Sequence, residues 1–390
     1  MKTRKSFSRL MLVMALAALG LTTLTMSSAT VAGGVQVFEV NPPNVFAMTN
    51  VAEENEIVQY SRSSTGALTL LGRIPTNGNG IGSGLGSQGA LILNENNTRL
   101  YAVNAGSDTI SVFAVGTTKP ALIQVINSGG DLPVSLTIRG NLLYALHASV
   151  PATIFGFTVN ANGTLSPLAD SMRMLTTPIG TPAQISFNPA GNVLIITHKR
   201  SDVLRPPVNI IDTFTVGANG LPSAMPRANP SSGVEPFGFA VRSDGIIVVS
   251  EGFNNIPGAG SSSSYRVNPD GTLTLISGSV STTQIATCWV VLTNNGQIAF
   301  VTNTVSNTIS SYTVAANGTL ALLNPVAAMT GAMSLPQDMD LSADGQFLHV
   351  LLTGTGQVQV YRIGADGSLT LTGQAGGITP MSGAQGLAAF

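Results

Sequence analysis

The sequence has little charge, because Asp, Glu, Lys and Arg make up only 9% of its 390 residues, whereas soluble domains carry about 25%. Four of the 17 basic residues lie in the first nine positions and no acidic residue precedes Glu39, so the rest of the chain carries 13 basic against 18 acidic residues. A nucleic-acid partner is therefore excluded, because such proteins need a basic surface. The ordinary apolar content of 44% excludes a disordered, highly charged chain.

Cysteine is almost absent as well. The one cysteine, Cys288, cannot form an internal disulfide, so a hydrophobic core must stabilise the protein, and a chain of this length can build one. We expect Cys288 to be a buried structural thiol. The few histidines and acids follow no metal-ligand spacing, so the sequence predicts no metal ion and no cofactor.

Residues 1–32 have the pattern of a secretory signal peptide. A basic segment is followed by an apolar run from Leu10 and then by small residues, which is the order that such leaders follow. The apolar run is short for a membrane span, which needs about 20 residues. We therefore expect cleavage, one domain over residues 33–390, a secreted or periplasmic location, no membrane span in the mature chain, and a monomer.

Helical periodicity is missing, and a repeat takes its place. A strand-like stretch that ends in a polar residue recurs every 43 to 54 residues. The polar ends are Asn50, Asn104, His147, His198, Glu251, Asn303 and Thr353. A glycine turn before an apolar strand also recurs, as in NGT around Gly163 and DGT around Gly271, and this pattern indicates β-hairpins.

Four strands in each repeat of about 50 residues, without helices, are typical of a propeller blade. Seven repeats predict an all-β, seven-bladed β-propeller with four-stranded blades. The chain ends in SGAQGLAAF, which is similar to a first strand, whereas NVFAMTN near the start is second-strand material. The C-terminal strand is therefore expected to pair with the N-terminal blade and close the ring, and the glycine-rich residues 78–87 are expected to connect two blades.

Two repeats, PQDMDLSADGQFLHV and PAQISFNPAGNVLII, resemble the lactonase-type seven-bladed propellers, which include 6-phosphogluconolactonase-like and carboxymuconate cyclase-like proteins. The resemblance implies the propeller fold and hydrolysis of a lactone. In that family a His-rich motif opens one blade, a Glu ends the second strand of the next, and an Arg follows the matching Asn of the blade after. Here residues 180–184 contain no His, Glu251 holds the Glu position, and Thr304 holds the Arg position.

The polar strand ends should lie on one face of the propeller, at the mouth of its central channel. Glu251, His198 and His147 are consecutive members of this set and are the candidate catalytic residues. Glu251 would activate water while the two histidines stabilise the oxyanion. The alternative is that these side chains only hydrogen-bond neighbouring strands and loops. His349, inside a strand, is interpreted as a packing residue.

Ligand-binding candidates come from the same face. They are Asn50, Asn104 and Asn303 at strand ends, and Lys199, Arg200 and Arg205 in a basic loop. The loop residues could receive an anionic ligand, or they could form a solvated loop. The predicted partner is therefore a small lactone-like or anionic molecule, or an extracytoplasmic protein. Two functions remain open: a lactone or ester hydrolase, and a non-catalytic binding or scaffold propeller that has lost the catalytic set of the family.

Overall fold

The computed structural model describes residues 44–116, 118–177, 181–199 and 209–390. The predicted leader, its boundary at residue 32, and the loop residues Arg200 and Arg205 lie outside these ranges. Within them, 29 strands form seven antiparallel sheets, and the first strands of successive sheets pack side by side around a ring. The chain is thus a seven-bladed β-propeller, as the repeat predicts. None of the described helices is long and apolar enough to cross a membrane.

The first four blades follow the order of the chain. Blade 1 contains β1 (Asn44–Met48), β2 (Glu56–Arg62), β3 (Leu68–Pro75) and the last strand, β29 (Leu387–Ala389). Blade 2 contains β4 (Leu91–Leu93), β5 (Arg99–Asn104), β6 (Thr109–Ala114) and β7 (Ala121–Asn127). Blade 3 contains β8 (Pro133–Arg139), β9 (Leu142–His147), β10 (Thr153–Val159), β11 (Leu165–Pro167) and β12 (Arg173–Met174). Blade 4 contains β13 (Thr181–Phe187), β14 (Val193–Lys199), β15 (Ile210–Thr215) and β16 (Arg227–Pro230).

The remaining three blades have four strands each. Blade 5 contains β17 (Pro236–Val241), β18 (Ile246–Glu251), β19 (Ser261–Val267) and β20 (Leu273–Ser281), with a short 3-10 turn at Phe253–Asn255. Blade 6 contains β21 (Thr287–Leu292), β22 (Ile298–Asn303), β23 (Thr308–Val314) and β24 (Leu320–Met329). Blade 7 contains β25 (Pro336–Leu341), β26 (Phe347–Leu352), β27 (Gln357–Ile363) and β28 (Leu369–Ala375). Blade 3 alone departs from the expected four strands, because β11 and β12 both pair with β10.

Burial within a blade explains the residue pattern of each strand. The second strands, such as β18 and β26, are buried along their whole length and are nearly continuous apolar runs, because they pack against blades on both sides. The outermost strand β7 alternates between exposed and half-buried residues, as expected where one face meets solvent. The core therefore lies between the blades.

The ring closes through the C-terminal strand, as predicted. β29 pairs antiparallel with β1, with Val45 opposite Ala389 and Ala47 opposite Leu387. Two acidic side chains of blade 7 hold this strand from the other side: the Asp340 carboxylate accepts a hydrogen bond from the backbone N–H of Ala389 at 2.8 Å, and Asp338 accepts one from Gly386 at 3.1 Å. Closure leaves the inner strand of blade 1 without an open edge.

Hairpin turns also connect neighbouring blades. The Tyr101 hydroxyl donates to the backbone carbonyl of Gly163 in the next blade at 3.0 Å, and the Tyr144 hydroxyl donates to that of Gly220 at 2.6 Å. Gly163 has a φ of +85°, and a methyl group there would overlap the side chain of Arg99. Position 163 thus requires glycine for two reasons: its φ is positive, and the Arg99 side chain leaves no room for a methyl group.

Candidate active site

Strand register places the predicted polar residues at one end of the blades. His147 lies opposite Pro133 at the start of β8, Glu251 opposite Pro236 at the start of β17, and Asn303 opposite Thr287 at the start of β21. The second-strand ends and the first-strand starts therefore share one face, as predicted. The direction and burial of each side chain then decide what it can do.

His147 is fully buried. Its Nε2 atom lies 3.1 Å from both the backbone carbonyl and the hydroxyl of Ser128, and its Nδ1 atom lies 3.5 Å from the Thr153 hydroxyl. Burial lowers the pKa of His147 to about 4, so the ring is neutral at physiological pH. These contacts leave it no exposed nitrogen.

Glu251 is also fully buried. Its carboxylate accepts hydrogen bonds from the Gly233 backbone at 2.9 Å and from the hydroxyls of Ser261 and Ser263. Burial raises the pKa of Glu251, and these hydrogen bonds oppose the rise. A methyl group on Gly233 would overlap the carboxylate, so the backbone of that residue covers the acid.

The asparagines at the strand ends are buried too. Asn104 and Asn303 make equivalent bonds, since each side-chain nitrogen donates to hydroxyls five and seven residues further on, at 2.7 to 3.1 Å. Asn50 donates to the backbone carbonyls of Ser83 and Gly383 at 2.7 and 3.1 Å. All three therefore bridge strands and connections, and none presents an exposed amide to a ligand.

His198 differs from the other strand ends in one contact. Its Nε2 atom lies 3.0 Å from Oδ2 of Asp212 on β15, and both side chains are fully buried. Its Nδ1 atom lies 3.1 Å from the hydroxyl of Thr177, which is half-buried. A hydrogen-bonded chain thus runs from a buried carboxylate through an imidazole to a hydroxyl near the surface, which is the arrangement of an activated hydroxyl or water site.

Lys199, predicted to receive an anion, is half-buried and bonded to the protein. Its ammonium donates to the backbone carbonyl of Leu85 at 2.7 Å and to that of Gly86, and it lies 5.4 Å from the centre of the Phe237 ring. Burial lowers its pKa to about 8, and the Glu235 carboxylate partly offsets this shift. Arg200 and Arg205 lie outside the described residues, so their predicted role stays a prediction.

The glycine-rich segment at residues 78–87 connects blades 1 and 2, as predicted. With the following Gln88 it also crosses this end of the channel. The Trp289 indole of blade 6 donates to the backbone carbonyl of Ser87 at 3.0 Å. The Gln88 side chain bonds the backbone of Val290 at 2.8 and 3.1 Å. Neighbouring Cys288 is buried, and burial raises the pKa of its thiol, consistent with the expected structural role.

Below this crossing lies a channel of about 480 Å³, lined by first-strand residues. Asp338 and Asp340 of β25 line it, together with Gln88, Gln184 and Thr137. Burial raises the pKa of each aspartate to about 7. Among the described residues no cluster of three His, Cys, Asp or Glu side chains could hold a metal ion.

Sequence reasoning missed Asp212, Thr177 and the Asp338–Asp340 pair. An acid inside the apolar stretch NIIDTF was a signal for Asp212, since a buried carboxylate needs a partner. Thr177 carries no comparable signal, because threonines are common in this chain's loops. Its contact with His198 depends on how the connection from blade 3 returns to blade 4.

The repeats and the seven-bladed fold are those of a lactonase-type propeller. The sequence profile described as "Lactonase, 7-bladed beta-propeller" matches residues 36–178 and 266–383. The chain therefore belongs to the lactonase family of seven-bladed β-propellers, as its repeats suggest. It has no match among curated protein sequences.

Solved structures share the fold at low sequence identity. A candidate 6-phosphogluconolactonase from Bacteroides fragilis is 17% identical, with a TM-score of 0.65 over 90% of this chain and 98% of its own. A protein from Lactobacillus plantarum is 17% identical, with a TM-score of 0.68 over 90% and 99%. A periplasmic gluconolactonase from Pseudomonas aeruginosa is 15% identical, with a TM-score of 0.63 over 87% and 97%.

The family match leaves out residues 179–265. This interval contains His198, Glu251 and residues 180–184, where the family's His-rich motif would stand. Of the three candidate catalytic residues, His198 and Glu251 thus lie in the interval that the family model does not match, whereas His147 lies inside a matched range. The matched ranges cover blades 1 to 3, the outer strand of blade 5, and blades 6 and 7.

Proposed function

We propose that the protein hydrolyses a small lactone or related ester, with His198 as the general base. The hydrogen-bonded chain Thr177–His198–Asp212 carries this proposal. Of the three candidate catalytic residues, His198 alone combines a described hydrogen bond to a buried carboxylate, that of Asp212, with one to a half-buried hydroxyl, that of Thr177. Membership of the lactonase family supports the substrate class.

The chemistry follows from the order of the three groups. Asp212 accepts the Nε2 proton, so Nδ1 of His198 is free to accept a proton from the Thr177 hydroxyl. A water molecule beside Thr177 adds its oxygen to the lactone carbonyl while its proton passes through the hydroxyl to His198. The ring C–O bond then breaks, and His198 returns the proton to the departing oxygen, which yields the hydroxy acid.

Other candidate residues take supporting roles in this proposal. His147 and Glu251 stabilise the ends of blades 3 and 5, because each side chain is hydrogen-bonded to the connection that enters its blade, at Ser128 and Gly233. Lys199 follows His198 directly and ties β14 to the glycine-rich segment, so it supports the site rather than binding the substrate's charge.

Variants of the chain test the proposal by steady-state hydrolysis of a panel of five- and six-membered lactones. His198→Gln and Asp212→Asn should each lower kcat/KM by about 10² to 10⁴, the usual contribution of a general base, and Thr177→Val should lower it by about tenfold or more. His349→Gln is the matched control, because His349 is also a fully buried histidine but lies in blade 7 and has no role in the proposed mechanism. Activity that survives both His198→Gln and Asp212→Asn would place catalysis elsewhere.

A non-catalytic binding or scaffold propeller is the second candidate. It is favoured by the complete enclosure of His147 and Glu251 and by Thr304 at the position of the family's Arg, where its hydroxyl donates to the Pro336 carbonyl at 2.9 Å. No hydrolysis of any lactone, together with a thermal shift on adding lactones or sugar acids, would favour this function.

We also propose an extracytoplasmic location. The basic and apolar order of residues 1–32 supports it, and one solved structure with the same fold is a periplasmic gluconolactonase.

A further inference from the structure

Blade 6 is free of charge. From Gly271 to Gln337 the chain has 67 consecutive residues without Asp, Glu, Lys, Arg or His. This stretch contains all four strands of the blade, β21 to β24, and the connections on either side. In a protein whose other blades all carry charged residues, one whole sector of the outer wall therefore lacks them.

The same sector exposes large apolar side chains, which we call the blade 6 rim. They are Val305 (47% exposed), Leu323 (41%), Val326 (37%), Met329 (78%) and Met333 (76%). Leu275 and Leu371, on the outer strands of blades 5 and 7, are 52% and 50% exposed beside it. Exposed apolar side chains that cluster in this way mark an interaction surface more often than isolated ones do.

At one end of the rim, the two connections of blade 6 are bonded together. The Thr330 backbone N–H donates to the Asn307 carbonyl at 3.0 Å, and the Leu335 backbone N–H donates to the Asn307 side chain at 3.0 Å. The connection with Val305 is thus fastened to the connection with Met333, and β24 runs directly into the latter.

Contact at the rim would use side chains rather than an added strand. β24 is an outer edge strand, but Pro325 interrupts its row of donors and its register with β23 shifts at Ser311. Proline and bulges of this kind protect an edge against strand addition.

In place of the monomer expected from the sequence, we propose that the blade 6 rim is a self-association surface, which a second copy of this chain covers in an isologous dimer. In an isologous contact the same patch of each copy meets its equivalent on the other. A charged patch would therefore bring like charges together, whereas the side chains of this rim carry no charge to repel each other. An anionic lipid surface is disfavoured, since the stretch contains no Lys or Arg to attract it. The side chains of the rim themselves offer no counter-charge to a charged peptide, and the nearest charges, on Arg242, Asp244 and Asp366, lie near Leu323 alone.

Sedimentation velocity of the purified protein over a roughly hundredfold concentration range tests the proposal. We expect a monomer–dimer equilibrium that added salt does not weaken, because no ion pair holds the contact. The double variant Met329→Asp/Met333→Asp should weaken association by about tenfold or more, since it buries like charges. Met225→Asp in blade 4, at a side chain that is 75% exposed, is the matched control and should dimerise like the parent.

Circular dichroism must show that the variants are folded. If the double variant is not folded, Met329→Gln takes its place. A protein that stays monomeric at every concentration would overturn the proposal. Dimers that persist in the Met329→Asp/Met333→Asp variant, or that the Met225→Asp change disrupts equally, would do the same. Flotation of a monomeric protein with phosphatidylcholine vesicles would assign the rim to a lipid surface instead.

Discussion

At the scale of single residues, buried ionisable groups set opposing pH dependences. Asp338 and Asp340 have pKa values raised to about 7, so the folded chain binds their protons more tightly than the unfolded chain, whose Asp pKa is about 3.9. Their stabilising contribution is complete at low pH and is lost as the pH rises through 7. His147 and His349 have pKa values lowered to about 4 and 3. Their contribution is therefore complete above the unfolded value of about 6.5 and is lost progressively as the pH falls through these folded values.

Replacement of Asp340 should separate the pH dependence of the buried aspartates from that of the buried histidines. Asp340→Asn keeps an oxygen to accept the Ala389 N–H but removes the buried charge, so the Tm should rise at pH 8 and the gain should shrink as the pH falls towards 5. Differential scanning calorimetry at several pH values measures the effect. Glu53→Gln, at an exposed carboxylate, is the control and should change the Tm little at any pH; a gain for Asp340→Asn that is equal at pH 5 and pH 8 would contradict the explanation.

At the scale of elements, the hairpin turn performs two functions at once. Sequence patterns identify the Asn-Gly and Asp-Gly turns because positive φ values need glycine. The structure adds that a turn such as Gly163 presents its carbonyl to a hydroxyl of the preceding blade. The repeat is therefore both a local hairpin and an inter-blade contact.

Gly163→Ala should destabilise the protein by roughly 1–3 kcal/mol, because a side chain at this positive φ is strained and its methyl group would displace Arg99. Gly84→Ala is the matched control, since a methyl group at Gly84 has no atom within 4 Å. Urea denaturation of both variants measures the difference. Equal free energies of unfolding would show that the turn tolerates a side chain.

At the scale of the whole molecule, the C-terminal strand holds the ring together. Leu387 and Ala388 of β29 are buried, and β29 contacts β1, β25 and β4. Removal of the strand would expose the inner edge of β1 and leave the carboxylates of Asp338 and Asp340 without their backbone donors.

Deletion of residues 387–390 should therefore lower the Tm sharply and promote aggregation, as measured by calorimetry and light scattering. Leu387→Ala is a milder test and should cost about 2–4 kcal/mol, because it leaves a cavity. Leu371→Ala, at a side chain exposed on the outer strand of blade 7, should cost far less. A deletion variant as stable as the full chain would show that the ring does not depend on β29.

The architecture follows from the amino-acid sequence alone, because blade number, strand order and ring closure depend on local patterns: the polar strand ends, the Asn-Gly and Asp-Gly turns, and the first-strand character of the last residues. The sequence also placed His147, His198 and Glu251 at one end of consecutive blades. None of the three side chains reaches solvent. The folded chain alone settles the hydrogen-bond partners of each, because those partners lie on loops and strands from elsewhere in the chain. Gly233 covers Glu251 and Ser128 holds His147, whereas Thr177 and Asp212 meet His198 from separate elements, and no spacing along the chain encodes that meeting.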